Sequence, residues 1–252
     1  MENILACYSS ISLEEMAAAS LMDRREQKFL LTEQQARDII LTLSGDLRIL
    51  EIEGSRMGMY ETMYFDTDEF TIYLNHHNGR KNRFKLRSRR YVVSDHSFLE
   101  VKQKVNTGLT KKVRMQTDHL MTRIESGIKE FISGHIPYNP DSFTSKIFNT
   151  YRRVTLVTPD LSERITLDFD ISYDHDHQCV QLPNVVIAEI KTAGKIRGSV
   201  LSTLMSQLHI RPISFSKYCI GISLLYPEVK KNRFKPKILR IMAMTGGRIR
   251  VC

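Results

Sequence analysis

The stretch RKNRFKLRSRR, residues 80–90, places seven cations in eleven residues with no acid among them. A basic run of this kind is usually a solvated surface. The spacing here favours a strand, because alternate side chains of an extended chain point to opposite faces. One face then holds Arg83, Lys85, Arg87 and Arg89, and the other holds Phe84 and Leu86. The cations are therefore aligned on one side of a predicted β-strand.

Four other segments show the same alternation of polar and apolar residues. They are REQKFLL (25–31), FLEVKQK (98–104), RITLDFDI (164–171) and VIAEIKT (186–192). A single strand of this type is typical of an antiparallel sheet with one face in water. Five of them, with helices to cover their apolar faces, also fit a closed barrel whose charged faces look inward.

Helical periodicity appears in four segments between the predicted strands. They are TEQQARDIILTLSG (32–45), DHLMTRIESGIKEFISG (118–134), GSVLSTLMSQLHI (198–210) and SFSKYCIGISLLYP (214–227). Each places apolar residues on one face of a helix. The first also begins with Thr32 and Gln35 at the spacing of a capping box. We expect these four segments to form amphipathic helices that cover the sheet.

A barrel interior lined with Lys and Arg needs a compensating anion, because buried like charges are costly when they are unpaired. The net charge of +9 and the pI near 9.4 point the same way. A charge of this size favours nucleic acid, an anionic membrane or a phosphorylated molecule as the partner. The carboxylates on the charged faces are available for a divalent metal. The resulting hypothesis is a site for a polyanion and a metal.

Length, cysteine spacing and hydropathy set broad limits. The chain of 252 residues is 42 % hydrophobic, which is enough for a core. Its four cysteines are far apart and are expected to be reduced thiols in the cytoplasm. Neither a transmembrane segment nor a signal peptide is predicted, so we expect a soluble protein, with a membrane-bound partner still possible. The histidine pairs at 76–77 and at 175 and 177 are interpreted as surface residues.

The ordered set of motifs resembles the VTC (vacuolar transporter chaperone) catalytic domain, the polyphosphate polymerase branch of the triphosphate tunnel metalloenzyme superfamily. The matching pieces are REQKF (25–29), YFDTDEFTIY (64–73), KLRSRRY (85–91), LEVKQK (99–104), YRR (151–153), RITLDFDI (164–171), IAEIKT (187–192) and FSKYCIG (215–221). No single piece is specific, whereas their order is. The resemblance implies an α+β fold, a closed eight-stranded antiparallel β-barrel with a charged lumen and outer helices. We divide the chain into an N-terminal helical arm (1–22), this tunnel domain (23–226) and a basic C-terminal tail (227–252).

The resemblance also implies roles for individual residues. The expected phosphate-binding residues are Lys28, Arg87, Arg89, Lys102, Arg153, Arg164, Lys191 and Lys217. The expected catalytic residues are Arg87, Arg89, Lys217 and Glu189. The metal, Mn²⁺ or Mg²⁺, is expected at Glu189, with Glu100 and Glu26 as further candidates. Asp168 and Asp170 are equally compatible with simple ion pairs.

One position departs from the wider superfamily. Adenylate cyclase and thiamine triphosphatase relatives typically begin with ExExK, whereas this chain has Arg24, Glu26 and Lys28. The arginine removes one possible metal ligand. This departure suits the VTC branch better than a generic triphosphatase.

Phosphoryl transfer depends mainly on charge neutralisation and in-line positioning. We therefore expect transfer of the γ-phosphoryl group of ATP to a growing inorganic polyphosphate chain, an anionic acceptor that needs no protein nucleophile. Two alternatives remain open: an inorganic or nucleoside triphosphatase in the same tunnel, and a non-catalytic module that binds polyphosphate or an inositol phosphate. RNA or other nucleic acid is disfavoured, because Trp is absent and Phe84 points away from the cations, whereas such binders usually add stacking aromatics. The sequence does not indicate the oligomeric state.

Overall fold

A computed structural model of the chain describes residues 1–18, 25–106, 109–192, 196, 198–247 and 249–251. The strands are β1 (Ser9–Ile11), β2 (Arg25–Leu31), β3 (Arg48–Leu50), β4 (Gly58–Thr67), β5 (Arg83–Tyr91), β6 (His96–Lys104), β7 (Thr110–Thr117), β8 (Phe143–Val157), β9 (Glu163–His175), β10 (Gln178–Gln181), β11 (Val186–Thr192) and β12 (Arg250–Val251). The α-helices are α1 (Glu2–Leu5), α2 (Leu13–Ala18), α3 (Glu33–Thr42), α4 (Thr71–His77), α5 (Lys129–Ser133), α6 (Val200–Gln207), α7 (Lys217–Leu225) and α8 (Lys235–Met244). This mixture confirms the α+β class.

The described strands form one sheet of twelve. Its main path runs β12-β10-β9-β8-β4-β5-β6-β7, with β11 joining β9 to β2 and β3 joining β8 to β1. The β1–β3 pair is parallel, and the meander of β4 to β7 is antiparallel. Between the described strands no pairing links β7 to β2, so the sheet is open and the expected closure into a barrel is not confirmed. The edge strand β7 carries lysines, which are typical of unpaired sheet edges.

The chain divides into two compact units with interleaved segments. The first unit comprises Met1–Met59, Tyr151–Ile171 and Leu182–Phe215, and the second comprises Tyr60–Thr150, Ser172–Gln181 and Ser216–Cys252. Strands β8 and β9 each pass through both units. The five segments predicted as strands are all strands in the structure.

The core of the first unit lies between α3 and the sheet. Helix α3 begins at a capping box of Thr32 and Gln35, as predicted, and buries Ala36, Ile39 and Ile40. These residues belong to a core cluster that also contains the apolar faces of β2, β9 and β11. Because strand side chains alternate, covering this face leaves the charged residues of the same strands on the opposite face.

In the second unit, α7 is buried more completely than an amphipathic helix would be. Its buried residues are Tyr218, Cys219, Ile220, Gly221, Ile222, Ser223 and Leu225. A Cβ added at Gly221 would lie 2.6 Å from Ile147 Cδ1 and 2.6 Å from a ring carbon of Tyr173. The glycine therefore lets the helix approach the sheet closely.

Two other segments differ from the sequence-based expectation. Only the end of the helix predicted over 118–134 forms, as α5 and a short 3-10 turn before it. The chain before it is not helical, because β7 runs to Thr117 and the backbone N–H of Met121 donates to Ser88 Oγ at 2.9 Å. The segment expected as a basic C-terminal tail (227–252) contains α8, which buries Ile238 and Ile241.

The cysteines were expected to be reduced. Cys7 is free and exposed, and Cys219 is free and buried. Cys179 is disulfide-bonded, so the expectation is wrong for this residue. Spacing along the sequence does not reveal which side chains lie close together in the fold. Within the described residues no helix has the length and apolar character required to cross a bilayer.

Candidate functional site

The first unit carries one group of charged side chains on the polar face of its sheet, here called the first cluster. Its members are Glu26, Lys28, Arg153, Arg164, Asp168, Glu189 and Lys191. In the strand register Glu189 lies opposite Lys28, and Lys191 lies opposite both Glu26 and Arg164. Directly opposed residues of paired strands share a face. The pairing of β2, β11 and β9 thus brings together residues that are more than 130 positions apart.

Glu189 lies at the centre of the first cluster. Its two carboxylate oxygens contact different lysines, Oε2 at 3.1 Å from Lys28 Nζ and Oε1 at 2.5 Å from Lys191 Nζ. Lys28 also contacts Glu26. Burial alone raises the pKa of Glu189, but the charges of Lys191, Lys28 and Arg153 outweigh it and hold the pKa well below its usual range. Glu189 is therefore an ionised carboxylate in a largely buried position.

Arg153 and Asp168 form a two-point ion pair in the same cluster. Arg153 Nε and Nη2 donate to the two oxygens of Asp168 at 2.6 and 2.9 Å. The Asp168 side chain is only 3 % exposed. On the same two strands, Arg152, one residue before Arg153, pairs with Asp170, two residues after Asp168. The distance is 2.5 Å, but these side chains are 54 % and 47 % exposed. The alternation of β8 thus places one arginine among buried charges and its neighbour in solvent.

The second unit carries the second cluster, on the polar face of β4 to β7. Its members are Tyr64, Lys85, Arg87, Arg89, Glu100, Lys102 and Lys112, together with Lys217 at the start of α7. One row of the ladder places Lys102 opposite both Lys85 and Lys112. Like charges directly opposite one another are destabilising in a sheet. This row is the arrangement expected of a surface that binds an anion.

Glu100 is the buried carboxylate of the second cluster, with a side chain 1 % exposed. Its Oε2 accepts from Arg87 Nε at 2.7 Å, and its Oε1 contacts Lys112 Nζ. Although burial raises the pKa of Glu100, Arg87, Arg89 and Lys112 together hold it far below its usual value. Both carboxylate oxygens of Glu100 thus contact cations, and a metal bound at Glu100 would have to displace Arg87 or Lys112.

Lys112 was not among the residues selected from the sequence. Burial lowers its pKa to about 8, against an opposing effect of Glu100 and with a further lowering by Arg87. Its side chain is 35 % exposed, and its ammonium group contacts the buried carboxylate of Glu100. The signal was present in TKKVRMQT (110–117), where Lys112 and Arg114 alternate with Val113 and Met115.

The pKa of Tyr64 is lowered by the cations around it. Burial raises the pKa of this phenol, but Arg87, Arg89, Lys85 and Lys217 lower it by a larger amount. The guanidinium Nη1 of Arg87 lies 3.5 Å from the Tyr64 hydroxyl. Arg89 is buried and donates from Nε to Thr62 Oγ1 at 3.1 Å. Four cations of the second cluster, Lys85, Arg87, Arg89 and Lys217, therefore act on one buried hydroxyl.

Asp66 fixes the helix that carries Lys217. Its carboxylate accepts the backbone N–H groups of Thr67, Ile72 and Tyr73, each at 2.8 Å, and the hydroxyl of Tyr218. Burial raises the pKa of Asp66, against the effect of these hydrogen bonds. Lys217 is the first residue of α7, with Ser216 as the N-cap. The motif YFDTDEFTIY thus acts in part through Asp66, which holds α4 and α7 together.

The donor set fits a metal that arrives with a phosphate ligand. Among the described residues no group of three or more His, Cys, Asp or Glu side chains could hold a metal by itself. Mg²⁺ is commonly bound by one or two carboxylates, with phosphate oxygens and water as the other ligands. Glu189 is ionised and can supply such a ligand once a phosphate has taken over its lysines. Glu26 is a further carboxylate, linked to Glu189 through their shared contact with Lys28.

The structure places the selected residues in one of the two clusters, except Asp170, which pairs with Arg152 in solvent, and Arg24, which lies outside the described residues. Glu26, Lys28, Arg153, Arg164, Glu189 and Lys191 belong to the first, and Arg87, Arg89, Glu100, Lys102 and Lys217 belong to the second. Their roles in binding and catalysis remain predictions.

Comparisons with known proteins agree with this architecture. A family model described as VTC domain matches residues 23–226, and no curated protein matches the chain. A candidate adenylate cyclase from Bacillus halodurans has 13 % identity and a TM-score of 0.53, over 81 % of this chain and 100 % of that one. A candidate adenylyl cyclase from Hippeastrum, reported to have a dominant triphosphatase activity, has 16 % identity and a TM-score of 0.52, over 83 % and 100 %. At these identities the two structures show a similar fold.

Proposed function

Because the chain belongs to the VTC domain family, we propose that it is a metal-dependent polyphosphate polymerase. The proposed reaction transfers the γ-phosphoryl group of ATP to the terminal phosphate of a growing polyphosphate chain. A terminal oxygen of the acceptor forms the new bond to the γ-phosphorus, the bond to the β,γ-bridging oxygen breaks, and ADP leaves. The closed eight-stranded tunnel implied by the resemblance and a location in the cytoplasm are parts of this proposal.

The observation that carries the proposal is the placing of Glu189 between Lys28 and Lys191, in a face that also holds Arg153. An ionised carboxylate among several partly buried cations supplies what a charged phosphoryl group requires. Charge spreads over the transferred oxygens in the transition state, so fixed cations at these oxygens lower the barrier. The acceptor is already an anion, and hence no protein base has to activate it.

The cations of the two clusters have a common task in this proposal, which is to bind and align phosphates. Lys85, Lys102 and Lys112 repel one another in their row, and a phosphate chain would relieve this repulsion. Arg87 and Arg153 are held on carboxylates by charged hydrogen bonds. These bonds keep the guanidinium groups ordered, so that little side-chain freedom is lost when phosphate binds.

Glu189 is the residue proposed to hold Mn²⁺ or Mg²⁺, with Glu26 as a possible second ligand. A bound divalent ion would neutralise charge on the phosphate oxygens. Lys28 and Lys191, which now contact Glu189, would then be available to phosphate. Lys28 lies opposite Glu189 on the neighbouring strand β2, and Lys191 lies two residues after Glu189 on β11 itself.

The decisive experiment incubates the purified chain with ATP and Mn²⁺ and follows ADP, free phosphate and long-chain polyphosphate together. We expect ADP and polyphosphate to form in parallel, and both to be lost in Glu189→Gln and Arg87→Ala. Arg152→Ala is a matched control, because Arg152 lies beside Arg153 but points to solvent. If free phosphate forms without polyphosphate, the polymerase proposal is wrong. If Arg152→Ala loses as much activity as Arg87→Ala, a solvent-exposed arginine matters as much as a cluster arginine, and the assignment of the active site to the two clusters is wrong.

A triphosphatase is the second candidate function. It is favoured by the fold shared with the Hippeastrum protein, for which a dominant triphosphatase activity is reported. The same residues would bind the triphosphate, and water would replace the polyphosphate end as acceptor. Release of free phosphate from ATP or tripolyphosphate, lost in Glu189→Gln, would identify it. Binding of polyphosphate without any turnover would leave a non-catalytic binding module.

A further inference from the structure

The positive charge of the chain is concentrated at its C-terminal end. Residues 229–252 contain eight Lys or Arg and neither Asp nor Glu, against a net charge of +9 for the whole chain. The clusters described above lie elsewhere in the sequence and contain acids as well as cations. This segment therefore accounts for nearly all of the excess charge and has no assigned role.

This segment contains α8, and four of its cations are exposed. Phe234, Ile238 and Ile241 are buried and hold α8 in place. On the exposed side lie the cations Lys230, Arg233, Lys235 and Arg240. A solvated basic run would have no need for a helix anchored by three buried apolar residues. The anchored helix instead presents the cations on a fixed surface.

Two large apolar side chains lie exposed on the same helix. Leu239 is 55 % exposed and Met242 is 40 % exposed. Residues three apart are neighbours on a helix surface, so the two form one apolar stripe. Lys235 and Arg240 flank this stripe in the sequence. An apolar stripe with cations beside it is the pattern of a helix that lies in a membrane interface.

A neighbouring turn adds two more cations. Arg233 Nη1 donates to the carbonyl oxygen of His77 at 3.2 Å. The same nitrogen lies 2.2 Å from the position that a Cβ at Gly79 would occupy, so a larger residue at position 79 would displace the guanidinium group. The contact places the turn that carries exposed Arg80 and Lys81 next to the C-terminal segment. We call this surface the basic patch, formed by Arg80, Lys81, Lys230, Arg233, Lys235, Leu239, Arg240 and Met242.

We propose that the basic patch docks the protein on the surface of a membrane with anionic headgroups. The cations would bind the headgroups, and Leu239 and Met242 would enter the boundary between headgroups and acyl chains. A soluble polyanion such as polyphosphate or nucleic acid would use the cations but not the apolar stripe. The exposed stripe therefore favours a membrane. This inference is independent of the proposed catalytic activity.

The test is flotation of the full chain with phosphatidylcholine vesicles, prepared with and without phosphatidylserine. We expect binding to the phosphatidylserine vesicles only. Lys230→Gln/Lys235→Gln should weaken it about 30-fold, since each basic residue near an anionic surface contributes about 1 kcal/mol. Leu239→Ser/Met242→Ser should weaken it at least about tenfold, because this variant removes the buried apolar contact.

The controls use exposed residues of the same unit outside the basic patch. Lys111→Gln/Arg123→Gln matches the charge change, and Leu109→Ser matches the loss of an exposed leucine, since Leu109 is 57 % exposed. Both controls should bind like the unaltered chain. Urea unfolding of every variant verifies that folding is retained. No binding to phosphatidylserine vesicles overturns the proposal.

A second result would also overturn it. If Lys230→Gln/Lys235→Gln loses binding while Leu239→Ser/Met242→Ser retains it, the patch binds polyanions through charge alone. Competition by free polyphosphate or RNA would then identify that class of ligand. Because ATP turnover is not measured in flotation, failure of this proposal and failure of the polymerase proposal are separate outcomes.

Discussion

Replacement of Asp168 by Asn tests whether the first cluster is a set of buried, mutually dependent charges. Asp168 is 3 % exposed and accepts two hydrogen bonds from Arg153. The amide of Asn removes the negative charge and turns one acceptor into a donor facing the guanidinium group. Removal of one partner from a buried ion pair leaves an uncompensated charge and costs about 3–5 kcal/mol. Arg153 is itself 15 % exposed, so we expect a value near the lower end, about 3 kcal/mol.

Asp170→Asn is the matched control, because Asp170 pairs with Arg152 on the same two strands but in solvent. An exposed pair contributes about 0–1 kcal/mol. Asp170 has a φ of 49°, and Asn also tolerates this left-handed conformation. Urea unfolding of both variants gives the two free energies. Equal losses in the two variants would show that burial does not govern these pairs and would refute this account of the cluster.

The same experiment can be extended to the ligand. If Arg153 binds phosphate, as proposed, polyphosphate can replace the charge that Asp168→Asn removes. Polyphosphate should then raise the unfolding free energy of this variant by more than that of the unaltered chain. An equal increase in the variant and in the unaltered chain would show that Arg153 does not bind polyphosphate. The conclusion about the buried ion pair would not change.

Three further predictions concern the second unit. Gly221→Ala should lower the free energy of unfolding, measured with urea, by about 1–3 kcal/mol through overpacking. Gly127→Ala is the control: a Cβ at Gly127 meets open space, so the free energy should change by less than about 0.5 kcal/mol. Equal effects of the two substitutions would contradict the packing explanation. Lys112→Met should weaken polyphosphate binding near neutral pH. Because the pKa of Lys112 is about 8, this lysine loses its charge as the pH rises through that value. Binding by the unaltered chain should therefore fall near pH 8, whereas binding by the variant should change less with pH. Parallel pH profiles in a titration would exclude Lys112 from the site. Tyr218→Phe removes the hydroxyl that donates to a buried carboxylate and should lower the unfolding free energy by about 1.5–3 kcal/mol, a value that an unchanged urea midpoint would contradict.

Much of the sheet could be predicted from alternation alone. RFKLRSRRY and VIAEIKT form strands because one face of each is apolar enough to be covered and the other is charged. The strands missed by this reasoning include β7 and β8. TKKVRMQT is an edge strand with little burial, so its apolar positions are few. The helix predicted over 118–134 was mostly wrong because tertiary contacts, such as that of Met121 with Ser88, prevailed over local periodicity.

The residues of the candidate site could be predicted from the sequence, but their ion-pair partners could not. The family resemblance selected Glu189, Lys28 and Arg153 from motifs far apart in the chain. It did not indicate that both oxygens of Glu189 contact lysines, or that Arg153 rather than Arg152 pairs with a buried aspartate. Lys112 was missed because its strand was missed. Partners depend on strand register, and local sequence patterns do not specify register between distant segments.

The sequence by itself determined which side chains share a face, because alternation along a strand is a property of the local backbone. It also determined the family, through motifs in a fixed order. The tertiary structure decided which charges are buried, since burial depends on what packs against each strand. Arg152 and Arg153 are identical neighbours in the sequence and differ only in this respect. Their different environments set the strength of each ion pair, and the fold alone supplies those environments.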